Sequence, residues 1–168
     1  MPAPSALIVV LGLPGTGKTT FARALAAQTG ARHLNTDMLR AELGLQGQYD
    51  EATKARVYDE LLRKSRASLQ QGTLVVLDGT FYRQAFRDRI SDLARETGAA
   101  LKWLEIRASA ETVKQRVSRE RPYSEADYAV YQKIREAFEP LKEERLSLDS
   151  DRQTLEAMLR EAREYLQL

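Results

Sequence analysis

Gly12-Leu13-Pro14-Gly15-Thr16-Gly17-Lys18-Thr19-Thr20 is the stretch of this chain with the clearest chemistry. Glycines at the first and sixth positions, followed by lysine and threonine, complete the pattern of a phosphate-binding loop. Such a loop turns successive backbone N–H groups toward one anion, because residues without a Cβ let the backbone close around it. Lys18 would add a full positive charge at the β/γ-phosphates, and the Thr19 hydroxyl could ligate Mg²⁺. Gly12, Pro14, Gly15, Thr16, Gly17, Lys18, Thr19 and Thr20 are therefore the expected nucleotide contacts, with ATP and Mg²⁺ as the implied ligands.

Three further places carry candidate chemistry. Asp37, in Asn35-Thr36-Asp37-Met38-Leu39-Arg40, follows a short apolar segment and could orient a hydroxyl and take its proton. Arg40 lies one helical turn later and could hold an anionic or polyol group of the same acceptor. Asp78 ends Leu74-Val75-Val76-Leu77-Asp78 and resembles a strand-end carboxylate that reaches the Mg²⁺ shell, so Thr19 and Asp78 form the expected metal pair. Arg116, Arg119 and Arg121 sit where a lid would cover a transferring phosphoryl group, with Arg116 and Arg119 preferred. Arg83 and Arg87 read as surface charge, and Trp103 and His33 as structural residues. The segment 149–152 is where a nucleobase would pack.

The elements that must position these residues follow from periodicity. Ala6 to Leu11 is a continuous apolar run rich in β-branched residues, as expected of a strand buried on both faces. Strands are also expected over 32–35, 74–78, 100–106 and 144–148. Helical patterns alternate with them: from the loop to Gly30, over 51–70, through Phe86 to Thr97, from a Ser109 cap through Val117, over 126–138 and over 155–166. Residues 116–124, basic and containing Pro122, read as an exposed loop. Strands alternating with helices mean a three-layer α/β/α fold with a five-stranded parallel sheet. A single domain over 1–168 is expected, with a lid at about 116–127.

Composition narrows the classes. The 168 residues are 43% hydrophobic and 30% charged, an ordinary globular balance. With 26 Lys+Arg against 24 Asp+Glu, the net charge of +2 argues against a dedicated electropositive nucleic-acid surface. The absence of cysteine excludes thiolate chemistry, and a single histidine excludes His-rich metal sites. No apolar run approaches the roughly 20 residues that span a bilayer. Met-Pro-Ala-Pro-Ser lacks the features of a secretory leader. A cytoplasmic monomer without membrane contact is the expectation.

A GTPase would show Asn-Lys-x-Asp, which does not occur, and a hexameric ATPase needs more chain. GLPGTGKTT (12–20), TDMLR (36–40), VVLDGTF (75–81) and RVSRERPYSEAD (116–127), in this order, resemble the "predicted kinase" family of P-loop proteins (AAA_33-like). That family is related to the kinase domain of polynucleotide 5′-hydroxyl kinases and more distantly to zeta toxins. The resemblance covers roughly residues 7–148. It implies that Asp37 is a general base, that Arg40 engages the acceptor, that Asp78 supports the active site and that Arg116 or Arg119 contacts the nucleotide phosphates. The expected activity is ATP/Mg-dependent phosphoryl transfer to a hydroxyl, with a polynucleotide 5′-OH placed slightly ahead of a small metabolite. A sugar, antibiotic, nucleoside derivative or nucleotide-sugar acceptor is the alternative. An ATP-binding switch module without an acceptor is the rival from another class.

Overall fold

The structure, a computed structural model, describes residues 5–120 and 125–168, the side chains of 118–120 and 125–127 apart. In chain order the elements are β1 (Ala6–Leu11), α1 (Lys18–Thr29), β2 (Arg32–Asn35), α2 (Thr36–Glu42), α3 (Glu51–Gln70) and β3 (Val75–Gly79). They continue with α4 (Gln84–Thr97), β4 (Ala100–Arg107), α5 (Ala110–Glu120), α6 (Glu125–Ala137), β5 (Arg145–Asp149) and α7 (Leu155–Leu166). The five strands form one sheet in the order β2-β3-β1-β4-β5, and every pairing is parallel.

β1 explains why its apolar run is unbroken. Side chains alternate between the faces of a strand, so Leu7, Val9 and Leu11 enter one core while Ile8 and Val10 enter the other. The first core is closed by Val57, Leu61 and Leu69 of α3 and by Ile90 and Leu93 of α4. The second is closed by Phe21 and Leu25 of α1 and by Met158 and Leu159 of α7. Each fully buried aliphatic side chain contributes about 1.5–3 kcal/mol of transfer free energy. Trp103 packs in the first core, as its alternation with Leu101 and Glu105 implies.

This layering opens the site. α1 leaves β1 toward one face and α4 leaves β3 toward the other, so the carboxyl ends of these neighbouring strands part into a crevice. α2 and α3 follow β2 and wall the crevice on one side.

Two expectations change. The basic segment from Arg116 is not a loop at its start: α5 runs to Glu120, capped by Ser109, whose hydroxyl accepts from the Thr112 N–H at 3.1 Å. Lys, Arg, Gln and Glu are good helix formers, and Val113 on the inner face is fully buried, so polarity did not end the helix. Arg87 is not surface charge. It is fully buried, and its guanidinium donates to Phe81 O at 2.7 Å, Glu139 O and Pro140 O at 3.1 Å, and Glu143 Oε1 at 3.0 Å. Through those bonds it fastens the 139–143 segment to the turn after β3.

Candidate active site

The glycine loop leaves β1 at Leu11 and enters α1 at Lys18. A Cβ on Gly12 would stand 2.3 Å from Ile106 O, closer than any side chain tolerates, so β4 itself demands glycine there. Gly15 sits at φ 79°, and a Cβ would lie 2.8 Å from Val113 Cγ1 of α5. Thr16 is buried and its hydroxyl donates to Leu13 O at 2.9 Å, closing the loop on itself. Pro14, Lys18 and Thr19 are half-buried, and Thr20 is exposed on α1.

Lys18 Nζ donates to Leu13 O at 3.3 Å. Burial pushes its ammonium below the ordinary lysine value, against the pull of Asp78 and Asp37. Its charge is thus felt by two carboxylates, one in β3 and one in the first turn of α2.

Asp78 ends in the crevice with no exposed surface. Asn35 Nδ2 donates to its Oδ2 at 2.8 Å, and His33 Nε2 sits 3.1 Å from the same oxygen. Burial alone would raise this carboxyl; the hydrogen bonds from His33 and Asn35 and the Lys18 charge outweigh it and hold the group below the usual aspartate range. Oδ1 is buried and has no hydrogen-bond partner. An ionised oxygen without a partner, beside the Thr19 hydroxyl that also meets Asn35 Nδ2 at 3.4 Å, suits a hard cation with oxygen ligands.

Asn35 connects this carboxylate to the acceptor side. Its side-chain oxygen caps α2, accepting from the Asp37 and Met38 N–H groups at 2.8 and 3.0 Å. Asp37 thus stands in the first turn, its side chain 78% exposed, paired with Arg40 Nη1 at 2.8 Å. Arg40, in contrast, is buried.

Arg116 occupies α5 and faces the loop. Its Nη1 donates to Ser150 Oγ at 3.0 Å and to Gly15 O at 3.4 Å, and its Nη2 to Ser150 O at 3.2 Å. Ser150 Oγ in turn donates to Thr16 O at 2.6 Å. The side chain of Arg119 and all of Arg121 lie outside the described residues. Hydrogen bonds through Asn35 thus link Thr19 and Asp78 to the turn that carries Asp37 and Arg40, and Arg116 is tied to the loop that leads into Lys18.

Sequence reasoning passed over Asn35, read His33 as a structural residue, and reached Ser150 only as part of the segment 149–152 expected to pack a nucleobase. Asn35 carried a signal, since asparagine directly before a helical segment is a preferred cap. His33 lies two residues earlier on the same strand face. The bonds of Ser150 to Arg116 and to the loop gave no signal, because those partners are remote in sequence.

The comparisons with known proteins agree with this architecture. The family model described as an AAA domain, AAA_33, matches residues 7–141. The uncharacterized protein Rv2004c of Mycobacterium tuberculosis is 39% identical over 116 residues, 62% of this chain. The chain spans 23% of that relative's length. Among solved structures, the Mycobacterium tuberculosis APS kinase CysC in complex with AMPPNP and APS superposes with a TM-score of 0.80 at 17% identity, covering 99% of this chain and 100% of that one. A gluconokinase from Sinorhizobium meliloti gives 0.72 at 20% identity, covering 94% and 89%, and a sugar kinase from Janibacter gives 0.73 at 22%, covering 98% and 95%. These likenesses establish the kinase-type P-loop fold. Glycine loop, parallel sheet and the match over most of its length together make this chain a member of the AAA_33 family of AAA domains.

Proposed function

We propose that the chain is an ATP-dependent phosphotransferase acting on a hydroxyl group of a small molecule. The observation that carries this reading is the Asn35 side chain, which bonds the strand-end carboxylate Asp78 beside the phosphate loop and caps the helix that presents a second, exposed carboxylate, Asp37. Nucleotide binding alone would give the second carboxylate no task.

In this reading the loop amides and Lys18 hold the β/γ-phosphates, and the N-terminal end of α1 adds its dipole. Mg²⁺, held by Thr19 and Asp78, would neutralise phosphate charge; the unpartnered Asp78 Oδ1 fits that role. Asp37 takes the proton of the acceptor hydroxyl while its oxygen bonds to the γ-phosphorus. The bond from that phosphorus to the β,γ-bridging oxygen breaks, leaving ADP and a phosphate monoester. Arg116, and Arg119 beside it in sequence, are the lid arginines that would meet the charge developing on the transferring group. Positioning and electrostatics supply such catalysis, and losing one good contact costs roughly 3–4 kcal/mol of barrier.

The sequence alone placed a polynucleotide 5′-OH slightly ahead as acceptor. The names of the similar structures, a gluconokinase, a sugar kinase and an APS kinase, support a small acceptor instead.

The test is transfer of labelled γ-phosphate from ATP to a pool of sugars, sugar acids and nucleosides, beside 5′-OH RNA and DNA oligonucleotides. Label in the pool that Asp37→Asn lowers by about 10²–10⁴-fold, with AMPPNP still bound, is the expected result. ATP binding with no acceptor-dependent transfer anywhere would leave the switch module as the better reading.

A further inference from the structure

Ser150 follows β5, 134 residues beyond Thr16, yet it bonds to the phosphate loop directly: its Oγ donates to Thr16 O at 2.6 Å. Arg116 Nη1 donates to the same Oγ at 3.0 Å, and Nη2 to Ser150 O at 3.2 Å. A guanidinium only donates and a carbonyl only accepts, so the hydroxyl accepts from Arg116 and gives its own proton to Thr16. Arg116 therefore fixes the sense of that hydroxyl as well as its place. Arg107 O, at 3.3 Å, is a more distant acceptor for the same proton.

The anchor behind this contact is the edge of the sheet. Arg107 of β4 and Asp149 of β5 are partners in register, and their side chains pair at 3.0 Å. The Ser150 N–H donates to Arg107 O at 2.9 Å, which holds the residue against the end of β4. Toward the loop, Ser150 and Arg116 abut Gly17, where a Cβ would lie 3.7 Å from Arg116 Nη1 and 3.9 Å from Ser150 Oγ. A rigid strand end is thus joined to a permissive loop. Gly15 and Gly17 flank Thr16 at φ 79° and 93°, and glycine changes backbone state at little cost.

Peptide planarity carries the tether through to the other side of the backbone. In a planar trans unit the C=O of one residue and the N–H of the next point in opposite directions. Fixing Thr16 O toward Ser150 therefore turns the Gly17 N–H away from Ser150. Arg116 Nη1 acts in the same way on the preceding unit through Gly15 O, over a longer 3.4 Å.

We propose that Ser150 is a positioning residue for phosphate binding, holding the 16–17 peptide so that the Gly17 N–H faces the phosphate before the nucleotide arrives. The inference rests on the reading of the glycine loop as a nucleotide site and adds to it a residue from the far end of the chain. Without the tether, the unit beside two glycines rotates among orientations. The nucleotide then binds only the competent fraction, and its apparent affinity falls by that fraction.

Calorimetric titration of wild type, Ser150→Ala and Ser150→Thr with AMPPNP and with inorganic tripolyphosphate, each with Mg²⁺, tests this. Tripolyphosphate has no base, so it reports the loop apart from any packing of a nucleobase on 149–152. Ser150→Ala should weaken both ligands by the same factor, about three- to tenfold, the worth of one hydrogen bond. Ser150→Thr keeps the hydroxyl and should bind both as wild type does; a threonine variant no better than alanine overturns the inference. Weakening of AMPPNP alone would put Ser150 at the nucleobase and also overturns it. A merely structural bond would lower the unliganded Tm and leave both affinities unchanged, which overturns the inference while nucleotide binding stands. No binding of either ligand by wild type removes the nucleotide reading and the inference together. One measurement needs no variant: NMR relaxation dispersion of the unliganded protein should show no exchange at the Gly17 amide. Exchange there that tripolyphosphate quenches would mean that the plane is not held, and overturns the inference.

Discussion

Asn35 and Asp78 are joined across the β2–β3 pairing, where the register sets them directly opposite and the amide donates to Oδ2 at 2.8 Å. The other end of the same amide caps the helix bearing Asp37. One side chain therefore ties the carboxylate beside the phosphate loop to the carboxylate beside the acceptor. Their separation is set by a rigid sheet edge rather than by a loop.

Asn35→Ala should lower stability by about 1 kcal/mol for the lost cap and about 1–3 kcal/mol for the unsatisfied Asp78. Urea unfolding measures the sum. Asn35→Asp should be worse at pH 7, because it sets two carboxylates against each other in a buried place. An Asn35→Asp protein as stable as wild type would refute the bond's role.

Lys18 should cost the unliganded protein stability. Its folded pKa is depressed, so its charged form is penalised on folding at every pH below that value; the penalty fades as pH rises through the folded value toward the unfolded one. Lys18→Met should then melt no lower than wild type without ligand, and lose most of the rise in Tm that AMPPNP gives wild type. Thermal scans with and without AMPPNP decide it. A large drop in the unliganded Tm would mean that the ammonium stabilises the loop.

Arg87 is the arginine whose removal should be most damaging. Arg87→Met leaves Glu143 buried and strips Phe81, Glu139 and Pro140 of a shared donor, for about 3–5 kcal/mol. Phe81 stands at φ 45°, in the left-handed region that bulky residues avoid, directly beyond Asp78 and Gly79. Loss of Arg87 should therefore also reduce transfer, by loosening the turn that follows Asp78. Comparing kcat with Tm across Arg87→Met and Arg87→Lys separates the two effects.

Acid should weaken the fold in a defined window. Glu143 and Asp78 both have folded pKa values held below their ordinary ones, despite burial that pushes upward, by hydrogen bonds and by Arg87 or Lys18. Their contribution is present in full above pH about 5 and is lost as pH falls through the lowered values. Tm should be flat from pH 7 to about 5 and decline below about 4.5, with a shallower decline in Glu143→Gln. An unchanged slope in that variant would exclude Glu143 as a source.

How much of this was legible beforehand depends on how local each signal is. β1, α3 and α7 follow from apolar spacing within one segment, and the glycine loop from types at fixed offsets, so these elements needed no tertiary information. Arg87 could not be found that way, because three of its partners lie 52 to 56 residues further along and most of its acceptors are backbone carbonyls, which every residue has. Arg116 was found as a residue but misplaced in structure: its basic neighbours resemble a solvated loop, whereas Val113 under Gly15 and the bonds of Arg116 to Gly15 and Ser150 show that α5 packs there. His33 meets Asp78 across the sheet, and strand order is not written in either segment.

The strand shared by two cores has a mechanical consequence. Leu7, Val9 and Leu11 cannot leave one layer without drawing Ile8 and Val10 out of the other, since all five ride on one backbone hydrogen-bonded on both sides. The layers therefore lack separate melting points, and amide protons of residues 7–11 exchange only when the whole chain opens. The phosphate loop hangs from the end of that strand, so its anchor is the last part of the molecule to give way.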